Sequence, residues 1–178
     1  MVELPLVREE FGFCRTTCAC PSCQVHCRHL PGSLAPSDIS RLCPTGQDVF
    51  AWAEHHLRAL ADAPFPTLVP ARQANGHCHW LFAGRCAVHD SAPYGCAFFD
   101  SHMADSEVKS RLAATLRARR EDAEASGLYY RIWRHLRQKG LVSRGGDRSA
   151  LRSELAKIKR NAQRNLRRRR EKSTISEW

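Results

Sequence analysis

Apolar residues recur along this chain in two rhythms, broken by one region with neither. From about Asp105 onward the spacing is helical. Val108, Leu112 and Leu116 form one apolar stripe, with Gly127 as a stop after Ser126. Leu128, Ile132 and Leu136 form a second, with Tyr129 and Trp133 beside them and Gly140 as its stop. Ser143-Arg-Gly-Gly-Asp147 reads as a flexible hinge. Leu151, Leu155, Ile158, Ala162 and Leu166 then mark a last helix.

The first hundred residues are less regular. A lead-in ends in Phe11-Gly-Phe13, two aromatics placed to cover a following cysteine. His29 to Pro36 is a turn-rich connector, and Ser37-Asp38 starts a short helix with Ile39 and Leu42 on one face. Val49, Trp52, Ala53, Leu57 and Leu60 predict a longer helix capped by Thr45. His55 and His56 sit on it as neighbours. No further acid or His stands at a ligand spacing, so they read as exposed or half-buried helix residues. Pro64, Pro66 and Pro70 rule out a continuing helix and predict an extended connector. His77 to His89 reads as a hairpin turning at Ala83-Gly84, which brings Cys78 and Cys86 to one end. Ser91 to Phe99 makes a second turn that delivers Cys96, and Trp80, Phe82, Phe98 and Phe99 are expected to form an apolar shell.

The fold class that follows is mainly α with a small β-hairpin: a compact, metal-stapled cysteine domain followed by basic helices. Charge draws the boundary. Residues 1–103 hold seven Arg, no Lys and nine acids, while residues 104–178 hold 21 Lys or Arg and nine acids. All nine cysteines lie in the first part. We therefore expect a cysteine-cluster domain over 1–103 and a basic helical extension over 104–178. The opening residues lack a signal-peptide pattern, and no apolar run reaches the roughly 20 residues of a membrane span. This predicts a cytoplasmic protein with no membrane partner. Nine cysteines in a reducing cytosol favour metal over disulfides, and the odd count fits a disulfide framework poorly.

The densest chemistry is Cys14-Arg-Thr-Thr-Cys18-Ala-Cys20-Pro-Ser-Cys23-Gln-Val-His26-Cys27. Packing alone scatters buried cysteines at helix or strand period. Thiols one to three residues apart instead bring several sulfurs within reach of one ion, and a thiolate cage suits zinc or an iron–sulfur cluster. Pro21 and the close ligands suggest an irregular loop or knuckle. With Cys78, Cys86 and Cys96 the candidate ligands number eight thiols, enough for two four-ligand sites or for one cluster and one ion. Cys43, between a helix end and a proline, is the leftover. The ferredoxin run is absent, a radical-SAM spacing from Cys14 and Cys18 fails at Pro21, and only Cys20-Pro-Ser-Cys23 has zinc-ribbon form. No phosphate-cradling or nucleophile-elbow motif is present.

These pieces resemble the YkgJ-like cysteine-cluster family, the putative zinc- or iron-chelating domain. Cys20-Pro-Ser-Cys23-Gln-Val-His26-Cys27 matches its first block, with His26 where a third cysteine stands. Asp38-Ile39 matches a helix start, and Cys78-His-Trp-Leu81-Phe82 and Arg85-Cys86-Ala-Val88-His89 match the next blocks. Ala92-Pro93-Tyr94-Gly95-Cys96 matches the last, with Ala92 in place of the family's Arg. The likeness covers about residues 11–100, and its specificity lies in the order of the pieces. It implies metal binding by zinc or by an iron–sulfur cluster. Either His26 is a ligand, or Cys14 and Cys18 replace the lost thiol. Some relatives are similar to flagellin lysine methylases, which implies an iron–sulfur enzyme acting on a protein side chain as an alternative. No nucleophile or general acid stands out here.

The tail adds one more candidate. Lys157, Lys159, Arg160, Arg164 and Arg167 to Arg170 (Arg167, Arg168, Arg169, Arg170) lie on one basic helix that would neutralise phosphates of nucleic acid or another polyanion. In that reading the metal is structural. The other reading of the tail is a solvated charged helix. Tyr129, Tyr130 and Trp133 have the rings to stack on bases, but their helical spacing favours core packing.

Overall fold

A computed structural model describes residues 8–16, 18 and 20–175, with side chains to residue 168. The architecture is mainly helical with small antiparallel strand pairs, as the pattern predicts. The chain opens on a minute hairpin, β1 (Glu9–Glu10) and β2 (Phe13–Cys14), that turns at Phe11-Gly12. Helices α1 (Pro21–His29), α2 (Asp38–Leu42) and α3 (Val49–His56) follow. Strands β3 (Leu57–Leu60) and β4 (Leu68–Pro70) come next, then β5 (Leu81–Phe82), β6 (Arg85–Cys86) and helix α4 (Tyr94–Ala97). Helices α5 (Asp105–Glu124) and α6 (Leu128–Gln138), strand β7 (Val142–Ser143) and helix α7 (Arg148–Ile175) complete it.

Several sequence expectations shift. The cysteine stretch is not an irregular knuckle: Pro21 occupies the first turn of α1, where its missing N–H costs nothing, and the helix runs through Cys27. The long helix expected to reach Leu60 stops at His56. Its cap is Asp48, whose carboxylate accepts from the Phe50 amide at 2.9 Å, and not Thr45. The spacing of Leu57 and Leu60 fits the helical period, but strand pairing overrides it. The strand wins because Leu57 and Ala59 bury alternately while β3 pairs antiparallel with β4 and parallel with β7. The expected hinge is seated: Asp147 donates to the His29 carbonyl at 3.1 Å, and a Cβ on Gly146 would meet Leu30 and that same carbonyl.

One core joins Leu34, Ile39, Trp52, Leu57, Leu68 and Trp80 with Tyr129, Ile132 and Leu136, so packing crosses residue 104. Tyr129 was expected beside the apolar face of α6; it is at its centre, while Leu128 is exposed. Its hydroxyl accepts from Leu68 N–H at 2.7 Å and donates to Leu34 O at 3.1 Å. A second cluster holds Ala35, Ala92, Tyr94, Ala97 and Phe98.

Helix α5 inverts its expected face. Leu112 is exposed, and the buried row is Arg111, Thr115 and Arg119. Arg111 donates to the carbonyls of Cys14 and Phe98, both at 2.9 Å, and pairs with Glu107. Arg119 donates to Leu34 O at 2.7 and 3.0 Å and to Ser33 Oγ at 2.7 Å. Loops without a ladder leave carbonyls needing donors, and guanidinium supplies five.

Asp38 is fully buried. Its Oδ2 accepts from the amides of Ala35 (2.7 Å) and Tyr94 (2.8 Å), and its Oδ1 faces Arg8 at 3.3 Å and pairs with Arg41. Removing one partner of a buried charge group costs about 3–5 kcal/mol. Asp38→Ala should therefore lower unfolding stability by about that amount, read as a lower denaturant midpoint at unchanged slope.

Candidate metal centre

Two groups of thiols meet along one face of α1. Cys20 is the residue preceding the helix, Cys23 lies in its first turn and Cys27 one turn further on. Residues four apart share a helix face. Cys23 and Cys27 are therefore stacked along that face: Cys23 belongs to the first group, Cys27 to the second, and Cys18 and Cys23 border the second group's cavity as well.

The first group is Cys18, Cys20, Cys23 and His102, whose ligand atoms all lie within 4.8 Å of one another. The sulfurs of Cys20 and Cys23 are 3.6 Å apart, and His102 Nε2 is 3.2 Å from Cys20 Sγ. Asp100 accepts the His102 amide at 2.8 Å, fixing the turn that presents the imidazole. Ser101 reaches Cys23 Sγ with its hydroxyl at 3.1 Å and its amide at 3.4 Å. Burial works against ionising Cys20, but hydrogen bonds from the Cys23 amide, His102 and the Cys23 and Cys18 thiols outweigh it and bring the pKa down to about 6. Cys23 is pushed up to about 11, first by burial and then by its neighbouring thiols, against the Ser101 hydrogen bonds. The pair thus holds one negative charge easily and a second only with a cation present.

The second group is Cys27, Cys78, Cys86 and Cys96, brought from four separate segments to line one cavity of about 460 Å³. The Ala83-Gly84 turn of the β5–β6 hairpin has φ of 47° and 76°, the mirror-image turn that suits strand twist. Cys78 and Cys86 do lie together, as the hairpin predicts. The Cys78 amide donates to Cys27 O at 3.2 Å. Cys96 is placed by a backbone pinch. Gly95 donates to Ser33 O at 2.9 Å, and a Cβ on Gly32 would stand 2.0 Å from the Gly95 carbonyl carbon. Only two glycines permit that approach.

Cys96 Sγ accepts the Gly32 amide at 3.2 Å, and the backbone at Trp80 and at Val88 acts to lower the pKa of Cys78 and of Cys86 against burial. Burial raises all four thiols. Cys78 is pushed to about 11, with Cys27 and Cys86 adding to it; Cys96 rises furthest, with Cys27, Cys78 and Cys86 adding. Arg15 lowers Cys86, and Arg85 and His89 also line the cavity.

The other expected ligands lie apart. Cys14 is exposed, 3.5 Å from Glu9 Oε1, and that hydrogen bond raises its pKa. It borders a shallow recess with Cys18 and His102 but is not in their ligand group. His26 lines the cavity, with Nδ1 at 3.1 Å from Ser22 O. Cys43 Sγ sits 3.8 Å from Pro44 O, away from both groups. Of the expected aromatic shell, Trp80 and Phe99 line the cavity, Phe98 stacks on Tyr94, and Phe82 is 58% exposed. Phe82 lies at the outer end of a two-residue strand with no facing layer. His102 escaped the sequence reading; its signal was the Asp100-Ser-His102 turn a few residues after Cys96. Tail residues Lys157, Lys159, Arg160, Arg164, Arg167 and Arg168 are exposed on α7, and the side chains of Arg169 and Arg170 lie outside the described residues. Among the described residues, no helix is long and apolar enough to cross a membrane.

No known family model, curated protein or solved structure matches this chain.

The thiolate is the nucleophile in alkylation. In metal-free, reduced protein at pH 7, Cys20 should therefore react first with iodoacetamide, and Cys78 and Cys96 last. Peptide mapping of a time course gives the order.

Proposed function

We propose that this is a metal-binding protein with two thiolate centres that share α1 as a wall. The observation that carries the reading is the second group: four sulfurs from four segments face one cavity, and the Gly32 amide donates to Cys96 Sγ at 3.2 Å. Amides aimed at sulfur serve a thiolate, and clustered thiolates need a cation. Cys18, Cys20, Cys23 and His102 form a Cys3His donor set that suits zinc. A tetrahedral ion with Zn–S of about 2.3 Å draws sulfurs to roughly 3.8 Å from one another. The Cys20–Cys23 separation of 3.6 Å fits that.

Cys27, Cys78, Cys86 and Cys96 are set wider than the groups whose ligand atoms fall within 4.8 Å. That spacing and the cavity's size favour an iron–sulfur cluster over a single ion. Such a cluster would supply electron transfer, tuned by amide bonds to its sulfurs. Both centres agree with the resemblance to the YkgJ-like family. His26 lines the cavity beside Cys27 and is assigned to the surroundings of the cluster.

Anaerobic purification with metal analysis and a visible spectrum tests this. A brown protein with both iron and zinc supports the reading; a colourless one with zinc alone leaves zinc in both centres. Cys96→Ser should lose the iron and the colour and keep the zinc, Cys20→Ser should lose the zinc, and Cys43→Ser should change neither.

A polyanion contact along α7 is a second reading. The start of the helix is packed: Leu151 is buried and Glu154 pairs with Arg28 at 2.7 Å and His29 at 2.6 Å. Beyond it, Leu166 is 60% exposed among basic residues. Replacing Arg167 to Arg170 by Ala should flatten the salt dependence of binding to duplex DNA, which carries a log–log slope of about −0.9 per phosphate contact. Metal content should not change. Absence of binding at low salt removes this reading.

A further inference from the structure

Three imidazoles that belong to neither thiol group converge beside Cys78. His55 and His56 end α3, and His79 follows Cys78. Their ligand nitrogens all lie within 4.8 Å of one another, and His56 Nδ1 is 3.0 Å from His79 Nε2. Adjacent residues of a regular helix do not face a common point. Here the helix ends at His56 and the chain turns extended at Leu57, which brings the two ring centroids to 4.8 Å. The backbone holds His79 against them: Ala71 donates to His56 O at 2.8 Å, and His79 donates to Ala71 O at 2.8 Å.

The surroundings keep the His56 ring fixed and the imidazoles of His56 and His79 unprotonated. His56 packs between Trp52 at 5.4 Å and Trp80 at 6.1 Å, so its ring is fixed. Burial first, then His79 and His55, lower the pKa of His56 to about 4, which leaves that imidazole neutral and able to ligate at pH 7. The carboxyl end of α3 favours positive charge. Arg58 is the neighbouring cation, and its guanidinium is held by the carbonyls of Glu54 at 2.9 Å and Leu57 at 2.6 Å. His55 is exposed, so solvent reaches the group.

We propose that His55, His56 and His79 form a third metal site, a three-imidazole centre for a divalent ion of the zinc, cobalt or nickel class. Imidazole suits these ions, and three protein ligands leave a coordination position open. The site differs from the thiolate centres in donor type, in its open face and in being reachable without disturbing the core.

The test uses the full chain with its thiolate centres filled as purified, titrated with Co²⁺ and followed by visible absorption and by equilibrium dialysis. The expected result is one further equivalent of Co²⁺ with ligand-field bands and no intense sulfur-to-cobalt band. His55→Ala, a solvent-exposed change, should weaken that binding beyond the roughly 10–100-fold that loss of an outer-shell partner costs. His79→Ala should do the same, and the iron and zinc contents should stay at wild-type values in both variants. Equal Co²⁺ binding in wild type and His55→Ala, or a sulfur-to-cobalt band on the added equivalent, overturns the proposal. Failure of the thiolate reading is seen separately, as absence of iron or zinc before any cobalt is added.

Discussion

A fully buried carboxylate fixes the geometry on which the second thiol group depends. Asp38 binds the amides of Ala35 and Tyr94 with one oxygen and faces Arg8 and Arg41 with the other. It thereby ties α2 to the turn that opens α4 and to the strand lead-in. The Gly32–Gly95 contact lies next to that clamp, and Cys96 follows immediately. A buried charge is costly unless every lone pair is matched, so this arrangement has few neighbours in conformation. Cys96 reaches the cavity because the turn before it has one place to go.

The two buried arginines of α5 extend the same logic. Arg111 caps carbonyls beside Cys14 and Phe98, and Arg119 caps Leu34. The cysteine-bearing segments are short strands and loops with few ladder partners of their own. A basic helix supplies the missing donors, and the Tyr129 hydroxyl of α6 supplies another to Leu34 O while accepting the Leu68 amide. The cysteine part is therefore not a free-standing cage. It is hydrogen-bonded to helices that carry no cysteine.

What the sequence made legible follows from locality. The Ala83-Gly84 hairpin, α6 and the cysteine density are written in a few consecutive residues each. The mainly helical class follows from the stripes of the second half. The end of α3 was not legible, because Leu57 and Leu60 continue the helical spacing and the strand partners that override it, β4 and β7, lie outside that stretch. The polar face of α5 was hidden for a related reason: an inward Arg looks like a solvated one until the carbonyl it serves is known. His102 and His79 belong here too. A lone His carries no spacing signal, and each gains its meaning from residues some eighty or some twenty positions away. The split of the thiols between two groups rests on the helix through Cys23 and Cys27, where Pro21 had suggested a loop.

The central claim is that a metal pins Cys27, Cys78, Cys86 and Cys96 into one unit. Amide hydrogen exchange before and after metal removal under anaerobic, reducing conditions tests it most directly. The account predicts that the end of α1, the β5–β6 hairpin and α4 lose protection together on stripping, while α6 keeps most of its own. Metal binding and local folding are then one process. Unchanged protection in all three segments, or loss in one without the others, would contradict it.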